Sequence, residues 1–226
     1  MELINTFIKR REDIWIAFQE HLFLAGIALL IAILIAVPLG ILITRLRKTA
    51  EPIMGVISLI QTIPSLALLG FMLPVFGIGK IPAIIALILY ALLPIIRNTH
   101  TGILSVDASV VDAGRGMGMT SRQILLMVEL PLSLPMIMAG VRTAAVLTIG
   151  VAALATFIGA GGLGDLIDRG LKVYDNNLIL AGAIPAAFLA VCFDYGLKKL
   201  EYLVTPKGLR AGPASPKVPP LKSCSK

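Results

Sequence analysis

Residues 22–44 form an unbroken apolar run with no charged side chain. Such a run leaves a chain few options. A helix needs about 20 consecutive apolar residues to cross the hydrocarbon core of a bilayer. In lipid the backbone must satisfy its own hydrogen bonds, which restricts spanning segments to helices and closed barrels. Four further charge-free runs follow at 52–79, 81–96, 143–164 and 176–193. The third run is short, but Lys80 and Arg97 flank it and can reach the two interfaces. The fourth is entered from Pro135 through Arg142, and Asp194 closes the last. The pattern predicts an all-α integral membrane protein with about five transmembrane helices. Composition agrees, since only 15% of residues are charged where soluble domains carry about a quarter.

Lysine and arginine placement predicts the orientation. With 45–51, 97–134 and the C-terminus on the cytoplasmic side, and Arg142 at a helix mouth there, 14 of the 20 cations lie inside. Lys9, Arg10, Arg11, Lys80, Arg169 and Lys172 remain outside. The N-terminus is therefore expected outside and the C-terminus inside. Topology accounts for the net charge of +7, with no nucleic acid as partner and anionic membrane lipid as the natural neighbour of a basic tail.

Residues 1–20 read either as an interfacial helix or as an extension of the first span. Ile4, Phe7, Ile14 and Phe18 fall near one face, with Trp15 suited to the headgroup layer. Acidic Glu12, Asp13 and Glu20 there argue against a cleavable signal. Residues 21–200 make up the transmembrane domain, with a polar cytoplasmic segment at 105–135. A proline-, lysine- and serine-rich tail, 201–226, is expected to be disordered. Cys192 and Cys224 are too differently placed to pair. His21 and His100 are too few for a metal site and are expected at the interfaces.

The stretch "VVDAGRGMGMTSRQILLMVELPLSLP" (110–135) is the most polar between the apolar runs. A short helix over 107–117 is expected to end at Gly118, where a left-handed cap favours glycine. A second helix starts at Thr120, with Gln123 at capping-box spacing, and Pro131 is expected to stop it. Gly118 is then a hinge between two short helices, shaped to fill a groove on a soluble partner.

Asp112-Ala113-Gly114, Gly118 six residues after the acid, and Leu130-Pro131 resemble the EAA loop of permease subunits in binding-protein-dependent ABC importers. The resemblance implies a type I importer fold working by alternating access, and a loop that docks into a cleft of an ATPase subunit. It departs from the family in Asp112 for the usual glutamate and Gly114 for the usual second alanine. "QTIPSLALLGF" (61–71) and "GAGGLGDLIDRGL" (159–171) are similar to osmoprotectant permeases, which import glycine betaine, carnitine, choline and related solutes. Methionine-type permeases share the fold and the loop and stand as the alternative. The resemblance further implies two ATPase subunits, a second permease subunit (identical or paralogous) and an extracytoplasmic solute-binding protein. ATP and magnesium are then used by the partner, and this chain binds no cofactor.

The residues themselves agree with that division of labour. "PVFGIGKI" fails as a phosphate loop, with Pro74 at the first glycine position and Ile81 where Ser or Thr must hold magnesium. A quaternary ammonium is held by an aromatic cage, yet Trp15, Tyr90, Tyr174, Tyr195 and Tyr202 are scattered among segments. High-affinity selection is therefore expected in a separate protein. Gln61, Thr62, Pro64 and Ser65, polar or bent within an apolar span, are the candidate path. Thr62 and Ser65 could equally serve nearby carbonyls. Gly159, Gly161, Gly162 and Gly164 read as a flexible external turn or gate, and Asp165 and Asp168 as polar surface. A membrane enzyme or ion-coupled carrier would need acidic or histidine groups deep in the spans. Arg142 is the only ionisable residue expected in one.

Overall fold

The computed structural model describes residues 2–46 and 50–205. Its elements are helices α1 (Glu2–Lys9), α2 (Arg11–Arg45), α3 (Ala50–Thr62), α4 (Ser65–Phe76), α5 (Lys80–Leu104), α6 (Ala108–Gly116), α7 (Ser121–Ile124), α8 (Leu130–Ala152), α9 (Gly164–Val173) and α10 (Asn176–Val204). A π-helical turn, Leu125–Glu129, joins α7 to α8, and a 3-10 turn, Ala153–Ile158, follows α8. No strand occurs among the described residues.

Four segments are long and apolar enough to cross a membrane: α2, α5, the composite Ser121–Ile158, and α10. A fifth crossing is available only if α3 and α4, bent 96° from each other, count together. The 52–79 run is thus a broken pair. Pro64 lacks an amide proton and disfavours helical geometry in the residue before it, so the helix breaks at Ile63-Pro64.

The helices overrun the apolar stretches that predicted them. Arg10 breaks the chain between α1 and α2, so only Glu2–Lys9 is a separate N-terminal piece. Residues 11–20 belong to α2, where Glu12 and Asp13 sit in the first turn and suit the positive end of the helix dipole. Trp15 and Phe18 stack there, with ring centroids 5.9 Å apart. At the other end α10 passes Asp194 and continues to Val204, so residues 201–204 are helix. The rest of the expected tail, from 206 onward, lies outside the described residues.

Asp194 fails to end α10 because it has a partner. Arg142 Nε donates to Asp194 at 2.8 Å and its Nη1 to Glu201 at 3.3 Å. Arg142 is therefore one of three charged groups in a cluster between α8 and α10. His21 is another correction. It is fully buried, with Nε2 3.0 Å from the Ile149 carbonyl, while His100 is half-buried.

The core forms around α5, between α2 and α8. In lipid, helices have little hydrophobic drive toward one another, and small residues that admit close approach do the packing. A methyl group on Gly40 would sit 2.7 Å from Thr99 Cβ, and one on Gly140 would sit 2.8 Å from the Pro94 carbonyl oxygen. Ala32, Ala36, Ala91, Ala144 and Ala145 are buried around these crossings. Stripes of glycine and alanine thus bring three long helices into contact and fix where the polar ends emerge.

Candidate coupling site and solute path

Local rules build the polar helix pair. Asp107 caps α6 by accepting the Ser109 amide at 2.8 Å. That bond holds its exposed carboxyl below the usual carboxylate range. Its contribution to α6 is present above the unfolded carboxylate pKa and is lost as pH falls through the lower folded value. At the far end the Met119 amide bonds to the Gly114 carbonyl at 3.1 Å and the Gly118 amide to the Arg115 carbonyl at 2.9 Å. These two bonds are a Schellman cap with Gly118 at its left-handed position, φ +81°. Thr120 and Gln123 then cap α7 reciprocally.

Pro131 does not stop the second helix. The Leu130 amide reaches back to the Leu125 carbonyl, the i to i−5 bond of a π turn. The widened turn sets Pro131 at the start of α8, where no amide donor is required. Leu130 and Pro131 therefore lie in a continuous path from α7 into the membrane helix.

The π turn also directs Glu129 inward. Glu129 is buried and takes the Arg45 guanidinium on both carboxylate oxygens. That pair ties the end of α2 to the start of α8 across 84 residues of sequence. A cleft of about 410 Å³ opens beside it, lined in part by Thr44, Ile103, Val111, Asp112 and Arg115. Asp112 pairs with Arg115 at 2.9 Å, both well exposed. Ala113 is exposed as well, and Met117 is 76% exposed, whereas Gly114 is buried against Met119 and Ile124. The outer face of α6 thus offers an ion pair with small and apolar groups, and its inner face packs on α7.

Among the path candidates, the Gln61 amide donates to the Tyr90 carbonyl at 2.9 Å, and the Tyr90 hydroxyl donates to the Ile63 carbonyl. Thr62 Oγ1 donates to the Leu59 carbonyl at 2.7 Å. Gln61, Thr62, Pro64 and Ser65 all gather at the α3–α4 break, and Tyr90 joins them from α5. Sequence reading missed Tyr90, although Pro94 four residues later flags its carbonyl as lacking a helical donor.

The glycine turn is packed. Glu20 accepts the Gly162 amide at 3.2 Å and Lys80 Nζ at 2.9 Å. The Gly79 amide bonds to the Ile158 carbonyl at 2.9 Å. A methyl on Gly159 would meet Ile78, one on Gly161 the Glu20 carboxylate, one on Gly162 the His21 ring and one on Gly164 the Ala153 carbonyl. The expected flexible turn is instead a junction that joins α2, the α4–α5 turn and α9. Asp165 serves it by accepting the Thr156 hydroxyl, and Asp168 pairs with Lys172 at 2.5 Å.

Carnitine transport permease protein OpuCB of Listeria monocytogenes is 49% identical over 211 residues, covering 93% of this chain and 97% of the relative. The glycine betaine/carnitine/choline transport system permease protein OpuCB of Bacillus subtilis is 49% identical over 191 residues, 84% of this chain and 88% of its own length. Among solved structures, a chain of the MetNI methionine ABC transporter in inward-facing conformations superposes with a TM-score of 0.77 at 23% identity. It covers 84% of this chain and 95% of its own, and that likeness shows the type I importer permease fold. The model of the binding-protein-dependent transport system inner membrane component family matches residues 28–204. The chain belongs to that family: it is a membrane-embedded permease component of an ABC importer, and not itself an enzyme.

Proposed function

We propose that this permease imports compatible solutes of the quaternary-amine class, such as glycine betaine, carnitine or choline, with ATP hydrolysed on separate subunits. The observation that carries the solute class is near-half identity, over 84–93% of this chain, to permeases named for carnitine, glycine betaine and choline. The methionine alternative has only a shared fold at 23% identity behind it.

In this reading residues 105–135 are the cytoplasmic coupling loop. The exposed face of α6 with Asp112, Ala113 and Met117 fills a cleft on an ATPase subunit, which uses ATP and magnesium. Closure of the ATPases moves α6, and the continuous helix through Leu130 and Pro131 carries that motion into α8. Arg45 and Glu129 bring α2 along. A second permease subunit, identical or paralogous, completes the path beside the α3–α4 break. A solute-binding protein delivers from outside, over the junction at Gly159, Gly161, Gly162 and Gly164. The N-terminus lies outside and the residues beyond α10 inside, beside anionic lipid. Strong selection belongs to the binding protein, because Trp15, Tyr90 and Tyr174 stand on separate segments, and Tyr195 and Tyr202 share α10 but are both exposed.

Uptake of labelled betaine, carnitine, choline and methionine by the complete reconstituted transporter tests the solute class. Quaternary amines should be transported and methionine ignored. Methionine uptake without betaine, carnitine or choline uptake would overturn the reading.

A further inference from the structure

Two backbone carbonyls at mid-chain lack helical donors, for separate reasons. Pro94 has no amide proton, so the Tyr90 carbonyl four residues before it loses its i to i+4 partner. At the α3–α4 break the helical ladder resumes with the Leu68 amide on the Pro64 carbonyl at 3.0 Å. The Ile63 carbonyl is left outside both ladders. Wherever hydrocarbon or packed protein surrounds such a group, it needs a protein donor.

The two defects satisfy each other. Gln61, two residues before Ile63, supplies its side-chain amide to the Tyr90 carbonyl at 2.9 Å. Tyr90 returns its hydroxyl to the Ile63 carbonyl. Each partner thus gives a side-chain donor to the other helix's orphaned acceptor. Leu68 and Leu69 of α4 pack on Ala83, Ala86 and Leu87 of α5, while Val56, Leu59, Leu66 and Phe71 on the other faces of α3 and α4 are exposed. Apolar packing of this kind has no direction, so the two directed bonds fix the register of the break against α5.

We propose that Tyr90 and Gln61 are positioning residues for solute passage, acting as one two-bond clamp that holds the polar break of α3–α4 in place on α5. The proposal rests on the reading of Gln61, Thr62, Pro64 and Ser65 as part of the solute path. It also gives Gln61 a different task. Its amide binds the protein, and the edge presented to a passing solute is that of Thr62 and Ser65. A quaternary ammonium has no N–H to donate, so a path for it depends on shape and polarity being held in place more than on matched hydrogen bonds.

The test uses the complete transporter in proteoliposomes, with ATPase and binding protein present. Tyr90→Phe removes one hydroxyl and keeps the ring, and Gln61→Leu removes the amide at similar size. Each variant should assemble at normal yield and hydrolyse ATP, yet move solute about tenfold more slowly per complex, the effect of losing about one buried hydrogen bond. The solute-to-ATP ratio should fall, which a merely structural defect scaled to the amount of assembled complex would not produce. Because the two bonds form one clamp, the double variant should be no worse than the poorer single.

Ser65→Cys, in a Cys192→Ser and Cys224→Ser background, separates the two readings. Thiol labelling at position 65 should be slowed by solute in the otherwise unchanged transporter, and adding Tyr90→Phe should change the labelling rate. Labelling that solute never slows removes the path reading and the proposal with it. Labelling that solute slows but Tyr90→Phe leaves unaltered removes the clamp alone. Wild-type transport ratio in both single variants, additive losses in the double, or failure of both singles to assemble would each overturn the clamp.

Discussion

The composite helix from Ser121 to Ile158 lies between two glycine turns that use the same residue for different ends. A side chain added at Gly118 would meet nothing within 4 Å. What defines that turn is its own backbone, two cap bonds and a left-handed φ of +81°. Around Gly159–Gly164 the space is full: a methyl on Gly162 would come within 3.3 Å of His21 Nδ1, and one on Gly164 within 2.8 Å of the Ala153 carbonyl carbon. The first turn needs glycine for conformation alone, whereas the second needs it for conformation at Gly159, Gly161 and Gly162 (φ +71°, +80° and +91°) and for room as well. A turn held by local bonds can swing with little repacking, whereas a packed one transmits strain to every neighbour. The polar helix pair therefore has the properties of a moving connector, and the glycine junction those of a fixed anchor.

The largest effect that tests this contrast is expected at Gly164→Ala. Its methyl collides with backbone, which cannot rotate away as a side chain can. We expect a loss of about 3 kcal/mol, the upper range for overpacking, read as lower yield and a lower melting temperature of the purified complex. A variant that melts with the wild type would show that the junction is loose.

Glu20→Ala comes next, because Glu20 holds the junction through the Gly162 amide as well as Lys80. Its Lys80 pair is partly exposed on both sides, so Lys80→Ala should cost about 0–1 kcal/mol. Glu20→Ala also strands an amide and should cost about 1–2 kcal/mol more. Equal melting of the two variants would mean that the glycine contact contributes nothing.

The contrast also marks what could be read in the sequence. Gly118 and the Thr120–Gln123 box obey rules that span six residues or fewer, and each stands where expected. Apolar runs located the membrane helices because lipid imposes one length. Pro131 misled because its local rule assumes an α-helix, and the π turn before it changes which donors are needed. The same limit hid Glu129 and Arg45, Gln61 and Tyr90, and the burial of His21. All are contacts between distant segments, set by how α2, α5 and α8 cross. The glycine junction was visible as glycines, but its neighbours Glu20, His21 and Ile78 come from other parts of the chain. Other helix ends were misjudged because charges such as Asp194 find partners and need not end a helix.

At the connector, Gly118→Val should spare the membrane fold and strike coupling. Valine at a left-handed φ costs about 1–2 kcal/mol, and the cap has no outside contact to share that strain. Yield and melting of the complex should stay near normal, while ATPase association, or stimulation by loaded binding protein, should fall. Gly118→Asn should be milder, since asparagine also occupies this cap position. Wild-type transport with intact ATP coupling in Gly118→Val would contradict the connector assignment.

The smallest effect is expected at Gly114→Ala, and its sign carries the information. Gly114 lies inside α6, where glycine costs about 1 kcal/mol relative to alanine. A methyl there would rest 3.4 Å from Met119 Sδ and 3.6 Å from Ile124 Cγ1, which is ordinary contact, and a methionine side chain adapts readily. The Gly114 carbonyl keeps its bond from the Met119 amide, so the Schellman cap survives. Alanine should therefore stabilise α6 and slow amide exchange there by about fivefold, the equivalent of about 1 kcal/mol. The melting temperature of the whole complex should not move, because α6 does not hold the spans together. If exchange in α6 quickens instead, the α6–α7 contact is tighter than its distances imply and the pair moves as one rigid body. If the whole complex becomes more stable, the connector is part of the anchor and the contrast between the two turns is lost.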